Sequence, residues 1–224
     1  MLSPLRKLLK LVHPEGIPWP GTLWYNALTK TGPFQRYYAV VAQDLAAYCA
    51  EGSLLDIGTG PGWLLFTLHQ QCPALKLTGV DTSAAMVTQA RQNMAQVGLQ
   101  DHIEVVKGNV SRLPFPDNAF DIVVSTGSIH HWKEPIAGLN EIYRVLKPGK
   151  YALVYDLVSD TPAAVLQAAA REYGRVRMFL LWIHAFEEPF YRCADFAALA
   201  RQTLFKKGQT RFVSVLCCVC LKKE

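Results

Sequence analysis

The chain has 224 residues, of which 50% are hydrophobic and 18% charged. That is enough apolar material for one large domain without disulfide staples, and it excludes a globally disordered chain. The formal net charge is +5 with a pI near 8.9, but the basic residues are scattered, clustering only at Lys206-Lys207 and Lys222-Lys223. A nucleic-acid binder concentrates such charge into a stripe, so nucleic acid is argued against as a partner.

Residues 1–12 read as a short basic amphipathic helix, and 13–32 as a loop punctuated by Pro14, Pro18, Pro20 and Gly21. No signal-peptide pattern precedes Pro14. Tyr37, Val40, Val41, Leu45 and Tyr48 recur at helical spacing and predict a helix over 34–49. From residue 53 strands and helices alternate: strand 53–57, helix 63–71, strand 76–81, then a helix N-capped by Ser83 and stopped by Gly98. Strands follow at 102–107 and 119–125, a helix at 136–146 ended by Pro148-Gly149, and a fifth strand at 151–156. Thr161-Pro162 starts a helix that the pattern carries to Phe186, a further helix covers 194–203, and 210–221 reads as one strand after a turn at Gly208.

The apolar run at 178–186 is far short of the ~20 residues that cross a bilayer, so no membrane span is expected. Of the cysteines, Cys217, Cys218 and Cys220 sit in the apolar run of the last strand, where thiols pack as small hydrophobes; a thiolate metal trap is the alternative. No paired zinc-type spacing occurs, and a reducing, cytoplasmic location is expected.

Alternating strands and helices predict an α/β, Rossmann-like, doubly wound and mostly parallel sheet, in which ligands bind beyond the carboxyl ends of the strands. Asp56, Asp81, Asn109 and Ser125 all fall at or just after such ends. The loop Asp56-Ile57-Gly58-Thr59-Gly60-Pro61-Gly62-Trp63 joins the first strand to its helix. Glycines there let a ligand approach the backbone, and the helix N-terminus adds positive partial charge. The dinucleotide fingerprint needs a glycine at 63, where this chain has Trp63, and a carboxylate at Asp56 suits a cationic ligand better than a pyrophosphate. Asp81, nineteen residues beyond Gly62, can accept ribose hydroxyls or simply N-cap the next helix.

These segments, with Gly79-Val80-Asp81-Thr82-Ser83, residues 108–115, residues 120–125, His130-His131-Trp132 and residues 141–149, occur in one order over about residues 50–156. Together they resemble the class I S-adenosylmethionine-dependent methyltransferases, in particular the small-molecule enzymes of ubiquinone and menaquinone biosynthesis. The resemblance implies a seven-stranded sheet, an N-terminal helical cap over residues 1–50, a methyltransferase domain over 51–224 and a helical lid insertion at 161–190. It implies S-adenosylmethionine as cofactor and a small-molecule methyl acceptor. Asp56, Gly58, Thr59, Gly60 and Gly62 would line the methionine half, and Asp81, with Thr82 and Met86 beside it, the ribose. Asn109 and Val110 would meet the adenine edge, and Ser125 would lie beneath the cofactor. The family usually carries Asp where this chain has Asn109, whose carbonyl oxygen still supplies an acceptor.

His131 is the candidate base for an acceptor that starts protonated; otherwise it orders its loop against Trp132. Trp24, Tyr25, Tyr37 and Tyr38 either shield a sulfonium by cation–π contact or belong to the core. Arg171, Arg175 and Arg177 either face an anionic acceptor or form a solvated basic face. A cofactor-binding module without turnover, or a nicotinamide oxidoreductase, are the competing functions. The acceptor and the oligomeric state have no signal in the sequence.

Overall fold

The computed structural model describes residues 21–174 and 191–224. The expected helix at 1–12, the apolar run at 178–186, and Arg175 and Arg177 lie outside the described residues. Five strands run parallel: β1 (Gly52–Ile57), β2 (Leu75–Asp81), β3 (Ile103–Lys107), β4 (Phe120–Thr126) and β5 (Leu146–Asp156). β6 (Gln209–Val213) and β7 (Leu216–Lys222) complete the sheet, with β7 antiparallel to both β5 and β6. The order β3-β2-β1-β4-β5-β7-β6 reverses direction between β1 and β4. That reversal opens a crevice at the carboxyl ends of the strands, where α/β proteins of this type bind ligands.

Helices α1 (Gly21–Thr29), α2 (Gly32–Ala46), α3 (Trp63–Gln71), α4 (Ala84–Gln96), α5 (Pro135–Val145), α6 (Ala163–Tyr173) and α7 (Cys193–Arg201) surround the sheet. The pleat sends alternate side chains to opposite faces. Leu54 packs with Val41, Leu45, Leu65, Leu68 and Met94, while Leu55 packs with Leu139, Ile142, Val145 and Phe196. Both faces of β1 are therefore covered, as a parallel sheet requires. Ser83 caps α4, its Oγ accepting from the Met86 backbone N–H at 3.3 Å. Among the described residues no helix is long and apolar enough to cross a membrane.

Three expectations change. Part of the predicted 13–32 loop is α1: its prolines all precede Gly21, and 21–29 contains no further breaker. The helix before Pro148 ends at Val145, and β5 begins at the buried Leu146. A residue preceding proline avoids helical backbone, so the break moves upstream of the Pro-Gly pair. The single strand at 210–221 is a hairpin, Val213 pairing with Leu216 across a turn in which Ser214 has φ 51°. Cys217, Cys218 and Cys220 lie in β7, and burial pushes the Cys218 thiol up to about 12.

Candidate active site

The rim at the carboxyl ends of β1, β2, β4 and β5 carries the candidate residues. Beyond β1 the chain passes through Gly58, Gly60 and Gly62, with φ 72°, 53° and 85°. Only glycine adopts this left-handed backbone freely. At Gly58 the need is also spatial, since a Cβ would stand 2.2 Å from Ser128 Oγ. The loop is tied to β2: the N–H groups of Gly58 and Thr59 donate to the Val80 carbonyl at 2.8 and 3.1 Å.

Asp81 closes the same junction. Its Oδ2 accepts from Gly60 N–H at 2.9 Å and its Oδ1 from Ser83 N–H at 2.8 Å. Burial raises its pKa, opposed by the backbone N–H groups of Ser83, Gly60 and Thr82. Each oxygen keeps a second lone pair, so the N-cap-like contact and a ribose contact are compatible. Met86 is buried at the start of α4, just past Asp81.

Asp56 is in a different state. It is 1% exposed, and among the described residues neither carboxylate oxygen makes a well-formed hydrogen bond, the Thr59 hydroxyl being close without completing one. Burial pushes its pKa up to about 7, opposed by the nearby Thr59 hydroxyl and reinforced by the charge of Asp81. A buried carboxylate without a donor costs several kcal/mol unless a cation arrives to pair with it. The residues present therefore fit a ligand with a cationic end, such as the ammonium of a methionine moiety, beside a nucleoside.

Asn109 stands after β3, and its Oδ1 accepts from Ser111 N–H at 2.8 Å, an Asx turn that fixes the side chain. Val110 packs beside Gly138 and Trp132. Ser125 is fully buried in β4 and donates from Oγ to the Ile57 carbonyl at 3.0 Å, pinning the end of β1 at the glycine loop.

Beyond β4 the chain makes one tight turn of helix, Ile129–His131. Here the structure adds a feature the sequence reading missed. His130 Nδ1 lies 2.8 Å from Asp156 Oδ2 at the end of β5, with the two residues 3% and 2% exposed. The His130 backbone N–H donates to the same oxygen at 3.2 Å. An ionised carboxylate can only accept, so the proton of this bond sits on Nδ1 and leaves Nε2 as the second ring nitrogen. His131 stacks against His130 at 3.9 Å between ring centres and is partly exposed. Trp132 is held instead by Ser128, its Nε1 donating to Oγ at 2.9 Å. The available signal was Asp156 itself, a fifth polar residue at a predicted strand end.

Aromatic hydroxyls surround this dyad. Tyr25, on α1, has its pKa pushed up to about 12 by burial and then by the charges of Asp81 and Asp156. Tyr37, on α2, has its hydroxyl bonded to Thr126 Oγ1 and is also raised by burial. Tyr191 stacks on Phe196 at 6.1 Å and feels Asp156 as well. These phenols stay neutral at physiological pH and are able to donate hydrogen bonds.

Comparison with known proteins places these residues in a family. Residues 55–154 match the family described as Methyltransferase domain. The chain is 33% identical over 139 residues to demethylmenaquinone methyltransferase of Thermus thermophilus, covering 62% of each protein. It is 29% identical over 144 residues to a ubiquinone/menaquinone biosynthesis C-methyltransferase of Cereibacter sphaeroides, covering 64% of this chain and 57% of the relative. A rice chloroplastic 2-methyl-6-phytyl-1,4-hydroquinone methyltransferase is 33% identical over 108 residues, 48% of this chain and 32% of the relative. The matched stretch thus spans about one third to three fifths of the length of these relatives. In fold, an S-adenosylmethionine-dependent methyltransferase from Aquifex aeolicus superposes with a TM-score of 0.61 at 22% identity, covering 80% of this chain and 87% of that one. A Methanococcus maripaludis protein assigned to the same class superposes at 0.72, with 23% identity and 94% and 97% coverage. Residues 55–154 thus match the Methyltransferase domain family, and the seven-stranded fold is one that this chain shares with solved S-adenosylmethionine-dependent methyltransferases.

Proposed function

We propose that the protein transfers a methyl group from S-adenosylmethionine to a small-molecule acceptor of the quinol type, releasing S-adenosylhomocysteine. The observation that carries this reading is the buried, donor-free carboxylate of Asp56 behind the glycine loop, paired with Asp81 one strand away. Asp56 would hold the ammonium, Gly58 to Gly62 would give the methionine half room at the backbone, and Asp81 would take the ribose hydroxyls. Asn109, already fixed by Ser111, would offer its remaining acceptor capacity to the adenine amino group. When bound, the cofactor supplies an electrophilic methyl on a sulfonium.

The quinol assignment comes from the relatives, which methylate demethylmenaquinone or a hydroquinone by name. A hydroquinone acceptor begins with a phenolic proton. His130, oriented by Asp156, is the group placed to take it, in preference to His131, the base expected from the sequence. Tyr25, Tyr37 and Tyr191 would donate to the oxyanion that results. α1 and α2, the described part of the expected 1–50 cap, would cover the site and exclude water, while most of the expected 161–190 lid lies outside the described residues. Six free cysteines fit a reducing cytoplasm.

The test is calorimetric titration with S-adenosylmethionine and S-adenosylhomocysteine against NAD as control, followed by transfer of labelled methyl to a demethylated quinol. Binding of NAD alone would overturn the reading. Binding of S-adenosylmethionine with no transfer to any metabolite extract would leave the non-catalytic module in its place.

A further inference from the structure

Helix α1 inverts the usual amphipathic pattern. Thr22, Asn26 and Thr29, spaced by four and three residues, turn inward and are 2%, 8% and 0% exposed. Leu23 and Leu28 point out, at 53% and 43% exposure. A helix attached by apolar burial shows the reverse. What attaches α1 is a buried chain of amides.

Asn26 Oδ1 accepts from Trp63 Nε1 at 3.0 Å and from Asn93 Nδ2 at 2.9 Å. Asn93, fully buried in α4, also donates from Nδ2 to the Pro61 carbonyl of the glycine loop at 2.8 Å. Its own Oδ1 accepts from Gln89 Nε2 at 3.2 Å. One carbonyl oxygen on α1 thus joins the first residue of α3, the glycine loop and α4. The preceding residue, Tyr25, lies over Gly60, where an added Cβ would come 3.7 Å from the tyrosine ring.

We propose that Asn26 is a positioning residue for the cofactor: it holds α1, and with it Tyr25, over the glycine loop, and so sets how fast a nucleoside–methionine ligand leaves. The proposal rests on the reading of residues 58–62 as an S-adenosylmethionine site, and it gives a role to Trp63. Because the Asn26 acceptor joins two donors from α3 and α4 at once, its loss loosens the hold on α1. Asn26→Leu leaves the Trp63 indole N–H buried without an acceptor and Asn93 with one of its two, at a site where apolar packing offers no substitute.

The experiment measures release of radiolabelled S-adenosylhomocysteine chased with excess unlabelled ligand, beside hydrogen exchange of amides 21–29 in ligand-free protein. Asn26→Leu is expected to speed release ~10- to 100-fold and to deprotect α1. Asn26→Asp keeps the acceptor oxygen and should stay within a few-fold of wild type. Trp63→Phe removes one of the two donors, retains ring packing, and should speed release several-fold; it also serves if Asn26→Leu fails to fold. Wild-type release in a folded Asn26→Leu protein, or Asn26→Asp as fast as Asn26→Leu, overturns the proposal and leaves the methyltransferase reading standing. A wild-type protein that binds no S-adenosylhomocysteine removes that reading and this proposal with it.

Discussion

If the proposed site takes an ammonium at Asp56, its binding is proton-linked. With its pKa at about 7 in the ligand-free fold, the carboxyl is about half protonated at neutral pH and must ionise to pair with an ammonium. If the complex holds Asp56 ionised, the binding constant scales with the ionised fraction, which is ~0.5 at pH 7 and ~0.03 at pH 5.5. Affinity for S-adenosylhomocysteine should therefore fall on the order of ten-fold over that interval, about 1–2 kcal/mol, with nearly one proton released per ligand at the acid end. S-Adenosylhomocysteine has the ammonium and lacks the sulfonium, so an equal slope for both ligands assigns the pairing to the ammonium. Calorimetry in two buffers of different ionisation enthalpy counts the proton. The same group opposes folding: a carboxyl raised from 3.8 to about 7 makes the ligand-free protein lose stability as pH rises through that window, by about 4 kcal/mol at pH 7. Asp56→Asn should remove both effects, giving a ligand-free protein more stable at pH 7 than the wild type, and one that binds weakly and without pH dependence. Affinity that is flat from pH 5.5 to 7, or a slope that survives in Asp56→Asn, refutes the reasoning.

Three further outcomes follow from the geometry. Gly58→Ala puts a Cβ 2.2 Å from Ser128 Oγ at φ 72°; a cost of ~1–3 kcal/mol in thermal unfolding and loss of ligand binding are expected, with Ser128→Gly in the same chain restoring only the steric part. His130→Ala and Asp156→Asn should each lower kcat by ~10²–10⁴-fold while S-adenosylhomocysteine affinity holds, and His131→Ala should do little; the opposite ranking in steady-state assays would return the base to His131. Lys223 Nζ donates to the carbonyls of Tyr143 and Leu146, both at 2.7 Å, and to Asn118 Oδ1 at 2.8 Å, capping the end of α5. Lys223→Met takes the donor from these acceptors, of which the Leu146 carbonyl is buried, and should cost ~1–2 kcal/mol by denaturant titration, with ligand affinity unchanged in the folded protein.

What the sequence disclosed was whatever a short stretch of chain decides alone. The glycine loop, the Ser83 cap and the strand at 53–57 each depend on near neighbours, and each stands where the pattern put it. The His130–Asp156 pair does not: its members are twenty-six residues apart and meet only because β4 and β5 are adjacent and in a particular register, Ser125 beside Val154. Of two successive histidines the sequence offered no means to choose; the tight turn after β4 chooses, by aiming one ring at the end of β5 and leaving the other outside it.

The α1 helix shows the same limit from the other side. Periodicity detects a helix by the apolar face it buries, and α1 buries threonines and an asparagine while its leucines face out, so the pattern that defines it is invisible to the test that looks for it. Its partners are an indole, two amides and a loop carbonyl drawn from residues 61–93, all polar atoms with no periodicity of their own. Both missed features are buried polar networks, and the Asn26 network meets the glycine loop at the Pro61 carbonyl. A hydrophobic core tolerates many sequences of similar volume, whereas a buried amide or carboxylate must meet its complement at one geometry or cost stability. The parts of this protein that a local pattern could not reveal are therefore those whose alteration separates binding and turnover from folding, which is why Asn26, His130 and Asp156 are more informative sites to change than the glycines that first identify the domain.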